Sequence, residues 1–255
     1  MSDLWSAEHV VAMCVIAVAA VCLVLLARRW QGTWLRIFAV ALIVDEAVWW
    51  VTLLAGGGEP GQRAQPLPLQ LCDMAILVAA VGLWTRSRLA IEVTYFWGLA
   101  GTIQGLLTPD LPQHFPDYLY FQYYIAHGGV VAAALVLVIG LRLSPRPFAV
   151  VRVAALTVAY AAFVGLVDLV TGADYMYLRA KPATGSLLDL LGPWPVYLLS
   201  AAVIATVLFA ILDLPFRIGR RAPPGGGRSD PLTRPGRKAC ASSCRGSSAW
   251  DIQTA

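Results

Sequence analysis

Long apolar stretches separated by short polar connections run through most of the sequence. Each stretch is close to the ~20 residues that a helix needs to cross the hydrocarbon core of a bilayer. Helices are expected there because a spanning segment must satisfy its own backbone hydrogen bonds. The pattern therefore predicts an all-α, polytopic membrane helix bundle with seven transmembrane helices, at residues 9–27, 35–55, 67–84, 90–108, 119–141, 149–171 and 194–214.

The alternative is a bundle of six spans, in which the first or the second stretch does not cross. The second is the weaker of the two, because Asp45 and Glu46 lie at its centre. The basic residues favour seven spans. Of the 19 Lys and Arg residues, all but Arg63, Arg179 and Lys181 fall at the first, third and fifth connections or after the last span. Since basic connections stay on the cytoplasmic side, the N-terminus is predicted outside and the C-terminus in the cytoplasm.

The composition indicates a multi-pass protein of the cell membrane. The chain is 58% hydrophobic and 13% charged, whereas soluble domains carry about 25% charged residues. Residues 1–218 form the predicted seven-helix domain. Residues 219–255 are rich in Gly, Ser, Pro and Arg, which predicts a disordered, basic cytoplasmic tail. The net charge of +4 does not indicate nucleic-acid binding, because the basic residues flank spans instead of forming one patch.

The five cysteines do not predict a structural disulfide. Cys14, Cys22 and Cys72 lie in apolar stretches, and Cys240 and Cys244 lie in the tail. The tail pair lacks a second pair of ligands, so no metal and no other cofactor is predicted. The first residues also lack the basic start and the small-residue cleavage site of a signal peptide.

Several polar side chains lie within the predicted spans at a similar depth. With the predicted orientation, they fall in the outer part of the third, fourth, fifth and sixth spans. Polar groups inside a bilayer are costly and usually functional. We therefore expect a hydrated pocket beneath the outer surface, in which five of these side chains contact a substrate: Gln70, Asp73, Gln104, Gln122 and Asp168.

Acidic residues in the spans need a partner or water, because an ionised Asp at mid-bilayer costs about 2.5–3.5 kcal/mol. No Lys or Arg lies at the centre of a span, so these acids must be protonated, hydrogen-bonded or hydrated. Asp45 and Glu46 are consecutive and point about 100° apart, so they cannot both face one groove. Glu92 and Asp213 lie near the predicted cytoplasmic ends and are interpreted as structural.

Cys72 and His127 are the candidate catalytic residues. A thiol needs a nearby base or a positive field to become a nucleophilic thiolate. His127 is the one basic side chain well inside the spans. Membrane cysteines more often pack than react, and His127 also fits a proton relay or a ligand contact. A metal site would need Asp73 or Asp168 as a further donor and is not predicted.

Five motifs occur in order along the chain: LPLQLC at 67–72, FWGLAGTIQ at 96–104, FQYYIAHG at 121–128, DYMYL at 174–178 and GPWPVY at 192–197. Together they resemble the bacterial YwaF-type integral membrane proteins over residues 9–215. The chain departs from that family at Gln70, where His is usual, and at Asp174, where Asn is usual. The first departure weakens any mechanism that uses two histidines.

More distantly, the family resembles a eukaryotic transmembrane acyltransferase that builds ether phospholipids through a cysteine. This resemblance implies membrane lipid as the partner and makes Cys72 the candidate nucleophile. Three classes of function follow from the residues and the resemblance together. They are a lipid acyltransferase or hydrolase, a proton-coupled transporter that uses Asp45, Glu46, Asp168 and His127, and a non-catalytic membrane scaffold. The sequence leaves the oligomeric state open.

Overall fold

The computed structural model describes residues 6–57, 65, 67–109, 111, 113–181 and 187–221. Within these residues the protein is all-helical, with seven long helices. They are α1 Ala7–Arg29, α2 Trp34–Leu54, α3 Leu71–Thr85, α4 over residues 88–107, α5 Tyr118–Gly140, α6 Ala149–Thr171 and α7 Val196–Arg221. Short 3-10 turns at Tyr175–Tyr177 and Leu187–Leu191 lie between α6 and α7.

The structure confirms an all-α protein with several apolar helices. Five of them, α1, α2, α5, α6 and α7, are long and apolar enough to cross a membrane. Helix α3 is shorter, and α4 combines an α-helical start at Arg88–Phe96, a π-helical segment at Trp97–Thr102 and a last turn at Ile103–Leu107. The count of seven spans and the orientation stay predictions.

The third helix begins later than the predicted span 67–84. Gln70 has an extended backbone (φ −65°, ψ 146°) and is the N-cap residue of α3. Pro68 has no backbone N–H, and the N–H of Leu67 donates to the hydroxyl of Tyr175 at 2.9 Å. Residues 67–70 therefore bond to the α6–α7 connection instead of extending α3.

Helix α5 lies at the centre of the bundle. About two thirds of its most apolar stretch (67%) is buried, whereas α1, α6 and α7 are each less than one fifth buried. Small side chains on α5, including Ala126, Ala133 and Ala134, pack without exposure against α3 and α4. The outer helices therefore keep broad apolar surfaces, as expected for contact with lipid.

Glu92 closes the end of the bundle where the basic residues of α1, α2, α4 and α6 lie. Its carboxylate is 1% exposed. It accepts the backbone N–H of Arg146 at 2.9 Å and two guanidinium bonds from each of Arg146 and Arg152, at 2.9–3.1 Å. This ion cluster joins α4, the α5–α6 connection and α6. The interpretation of Glu92 as structural agrees with this geometry.

Helix α7 packs on α4 at the same end. The Tyr95 hydroxyl donates to the carbonyl of Leu212 at 3.1 Å, and Phe96 packs on Phe209. Asp213 pairs with Arg217 one turn later at 2.6 Å. The helix continues to Arg221, beyond both the predicted end of the last span and the predicted start of the tail. The rest of that tail, residues 222–255, lies outside the described residues.

Candidate functional site

Three carboxyl groups from α2 and α3 form a layer next to α5, which we call the acidic layer: Asp45, Glu46 and Asp73. Glu46 is 5% exposed and accepts a hydrogen bond from the indole N–H of Trp50 at 2.8 Å. It also interacts electrostatically with Asp73 on α3. Asp45 points to α5, where its carboxyl accepts the side-chain N–H of Gln122 at 3.4 Å.

The acidic layer was only partly predictable. Asp45 bonds to Gln122 on α5, whereas Glu46 bonds to Trp50 on its own helix, so the two side chains have different partners, as their 100° separation predicts. The sequence places this pair at the centre of the second span and not among the pocket residues, whereas in the structure Glu46 interacts electrostatically with Cys72 and Asp73. Tyr118, at the start of α5, interacts with both Asp45 and Glu46. The pair therefore belongs with the predicted site residues of α3.

Cys72 and Asp73 lie in the first turn of α3. The Asp73 carboxyl lies near the backbone N–H groups of Gln70 and of Asp73 itself, donors that a helix start leaves open. The Cys72 thiol is partly buried, and the charged groups that interact with it are the acids Asp73 and Glu46. Cys72 and His127 do not hydrogen-bond to each other.

His127 is held on α5 in one orientation. Its Nδ1 lies 2.9 Å from the carbonyl oxygen of Tyr123, and its ring stacks on the Tyr123 ring with centroids 4.1 Å apart. Because a carbonyl oxygen can only accept, Nδ1 must carry the proton. In a neutral imidazole, Nε2 then carries the lone pair.

Gly105 on α4 gives the His127 ring its space. A Cβ atom at this position would lie 2.8 Å from Cδ2 of His127 and 3.1 Å from the Tyr123 hydroxyl. The Tyr123 hydroxyl also donates to the carbonyl of Gly105 at 2.7 Å. Contacts from both α4 and α5 therefore fix the position of the imidazole. The pattern Gly101-x-x-x-Gly105 is typical of close helix contact and predicts a tight approach at Gly105, but not that His127 would fill the space.

Gln70 and Asp168 both bind the backbone of the α6–α7 connection. Gln70 Oε1 accepts the N–H of Met176 at 2.9 Å, and Met176 adopts a left-handed conformation (φ 57°). Asp168 is fully buried, and its Oδ1 accepts the N–H of Tyr175 at 3.0 Å. Burial raises the pKa of the Tyr175 hydroxyl. Two residues predicted as substrate contacts thus connect α3 and α6 to one loop.

The two remaining predicted contacts differ in their surroundings. Gln122 is 9% exposed and bonds to Asp45, so it joins α5 to the acidic layer. Gln104 is half-buried in the last turn of α4, where its backbone carbonyl accepts the Thr108 hydroxyl at 3.0 Å. The structure thus unites Cys72, Asp73 and Gln122 around α2, and places His127 against α4.

Two shallow clefts run along α1 and are mainly apolar. None of the seven predicted site residues lines either of them. In the described part of the chain, no group of three or more His, Cys, Asp or Glu side chains could hold a metal ion.

A second polar cluster, at the start of α1, was not predicted. His9 is buried, and its Nδ1 lies 2.8 Å from the hydroxyl of Tyr124 on α5. The Tyr120 hydroxyl donates to the carbonyl of Glu8 at 2.9 Å, and Glu8 pairs with His114 at 3.6 Å. The two tyrosines, one helical turn apart at the start of α5, were the available signal.

Comparison with known proteins gives a family. Residues 4–213 match the family model described as the TMEM164 family, which covers α1 to α6 and most of α7. No curated protein and no solved structure matches the chain significantly. The YwaF-type resemblance and the more distant acyltransferase resemblance remain predictions. The match covers most of the sequence, and the chain belongs to the TMEM164 family, a family of membrane proteins.

Proposed function

We propose that this protein crosses the cell membrane seven times, with its N-terminus outside, and acts on membrane lipid as an acyltransferase or hydrolase. Helix α3 spans about 22 Å at 1.5 Å per residue, less than the ~30 Å hydrocarbon core. Its neighbours enclose it, and irregular backbone is tolerated at membrane depth where protein buries it. Residues 67–70 would complete this span.

The observation that carries the chemistry is the fixed tautomer of His127. Its Nδ1–H donates to the carbonyl of Tyr123, so Nε2 would accept a proton. His127 lies on α5, which packs against α3. Cys72 lies in the first turn of α3, where the helix dipole favours a thiolate. The ionised carboxylates of Asp73 and Glu46 would oppose that thiolate, so the reaction requires them to be neutral.

The proposed reaction has two halves. Nε2 of His127 takes the thiol proton while the sulfur of Cys72 attacks the ester carbonyl of a phospholipid. The new S–C bond forms a thioester as the C–O bond to the lysolipid breaks, and His127 returns the proton to the leaving oxygen. An acceptor hydroxyl, or water in a hydrolase, then cleaves the thioester. Gln104 and Gln122 would contact the oxyanion or the headgroup, and the ester carbonyl of the lipid would lie next to both Cys72 and His127.

The test is lipid turnover by the full chain in vesicles that contain a phospholipid with a labelled acyl chain. Under the proposal, Cys72→Ala and His127→Ala each remove acyl transfer and acyl release. Cys14→Ala and Cys22→Ala are matched controls, because both residues are exposed on α1, and these variants should keep full activity. Unchanged turnover in Cys72→Ala and His127→Ala would exclude the cysteine mechanism.

The acidic layer favours a second candidate, a proton-coupled carrier. Asp45 and Glu46 have neutral hydrogen-bond partners, Gln122 and Trp50, and proton pathways in membranes use such carboxyl groups. In vesicles that contain the reconstituted protein, the lumen should then acidify when the outside is made acidic and the transported solute is added. Glu46→Gln should stop this flux. A scaffold, favoured by the loop bonds of Gln70 and Asp168, would show neither turnover nor flux.

A further inference from the structure

A groove between α1 and α5 opens on the surface at the basic end of the bundle. We call it the α1/α5 groove. Its floor is formed by Ala20, which is 3% exposed, and by Val24. Val21 and Ile139, both exposed, form its two walls. The groove therefore has an apolar floor and apolar walls, which suit contact with part of one hydrocarbon chain.

Close packing of the two helices forms the lower end of this groove. A Cβ atom at Gly140 would lie 2.8 Å from the Cβ of Ala27. The helices therefore touch at Gly140, in the π-helical last turn of α5. Two turns before Ala27 in α1, the small side chain of Ala20 leaves room between the two helices. The close contact of the two helices at Gly140 thus bounds the groove at this end.

Arg28 lines the groove at its lower end. Its side chain is exposed, and among the residues that the structure describes it has no ion-pair partner. Arg146, Arg152 and Arg217 lie at the same end and are each paired with a buried carboxylate. A guanidinium without an internal counter-charge, next to an apolar groove, is complementary to a phosphate that carries an acyl chain.

We propose that the α1/α5 groove binds an anionic phospholipid, with one acyl chain between α1 and α5 and the headgroup phosphate on Arg28. The site lies outside the acidic layer and does not depend on the proposed lipid chemistry. Its lipid belongs to the leaflet at the basic end. The acyl chain would lie in the groove between α1 and the central helix α5 and would cover side chains of α1 that are exposed in the structure.

Lipid retention by the full chain, measured by native mass spectrometry in detergent, tests this site. Phosphatidylglycerol and phosphatidylcholine with identical acyl chains are the probes. One arginine near a membrane surface contributes about 1 kcal/mol, so we expect about fivefold tighter retention of phosphatidylglycerol. Arg28→Gln should remove this preference. Arg88→Gln, the same change at the same end but outside the groove, should keep it.

Filling the groove tests the acyl-chain half of the proposal. Val21→Phe should weaken retention of both lipids, whereas Val11→Phe, at an equally exposed position of α1, should not. Thermal unfolding of each variant shows that folding is intact. The proposal is wrong if wild type retains both lipids equally, if Arg28→Gln keeps the preference, or if glycerol phosphate alone displaces the lipid.

Discussion

Glu92 and Glu46 are both buried glutamates of this bundle, and their surroundings are opposite. Glu92 accepts five hydrogen bonds from Arg146 and Arg152. Glu46 accepts one from the neutral indole of Trp50 and interacts electrostatically with a second acid, Asp73. The first arrangement neutralises a charge in place. The second brings two acids together, which is unfavourable for folding whenever both are ionised.

We interpret this difference as one between structural acids and acids of the proposed site. A buried carboxylate with two guanidinium partners is a complete ion cluster, and its removal leaves charges without partners. Neighbouring acids whose hydrogen-bond donors are neutral add little to the stability of the fold. Because ionisable residues inside a membrane are costly, such acids are usually retained for a function. The basic end of the bundle is therefore interpreted as a structural clamp, and the acidic layer as part of the functional site.

The largest stability loss is expected for Glu92→Ala. The substitution removes the acceptor of five hydrogen bonds and leaves Arg146 and Arg152 without their counter-charge. Breaking a buried ion cluster in this way costs about 3–5 kcal/mol. The free energy of unfolding of the purified protein in mixed micelles would measure it. Arg88→Ala, at the same end, should stay close to wild type, and an equal loss in both variants would contradict the clamp.

The next largest effect is expected for Gly105→Ala, which tests how His127 is held. The added Cβ would lie 2.8 Å from the imidazole, and such overpacking costs about 1–3 kcal/mol. The imidazole ring must also move, so we expect lipid turnover to fall in the same variant in which the free energy of unfolding falls. Gly101→Ala is the matched control, because the nearest atom there is a Leu71 methyl at 3.4 Å. Full turnover in Gly105→Ala would show that the orientation of His127 does not matter.

The smallest stability effect is expected for Glu46→Gln, which sharpens the comparison with Glu92. The amide keeps an oxygen acceptor for Trp50 and removes one of the two facing acids. Loss or gain of one such hydrogen bond changes stability by only about 1 kcal/mol. We therefore expect a nearly unchanged free energy of unfolding together with reduced function. A loss as large as that of Glu92→Ala would place Glu46 among the structural acids.

The helices were predictable because apolar runs of membrane length leave the backbone few alternatives. The start of α3 was not, because residues 67–70 bond to a loop more than 100 residues later in the sequence. Gln70 and Asp168 bind the backbone of this loop, whereas the sequence predicted from their depth alone that both would contact a substrate. Depth follows from the order of residues along a span, but the direction of each side chain depends on how neighbouring helices rotate and pack.

The site shows this limit most clearly. The sequence predicted that Cys72, Asp73, Gln122 and His127 are polar groups of similar depth. It could not show that His127 faces α4 while Cys72 faces the acidic layer, because both directions depend on close contacts such as Gly105 with His127. The buried cluster around His9 was missed for the same reason, since its partners Tyr120 and Tyr124 lie on another helix.

The central claim is that Cys72 carries the acyl group of a membrane lipid. Intact-protein mass spectrometry of the full chain, stopped in acid during turnover of a defined phospholipid, tests it directly. The account predicts a mass increase of one acyl group that maps to Cys72, is released by hydroxylamine and is absent from Cys72→Ala. Turnover with no acyl group on Cys72, or undiminished turnover by Cys72→Ala, would contradict it.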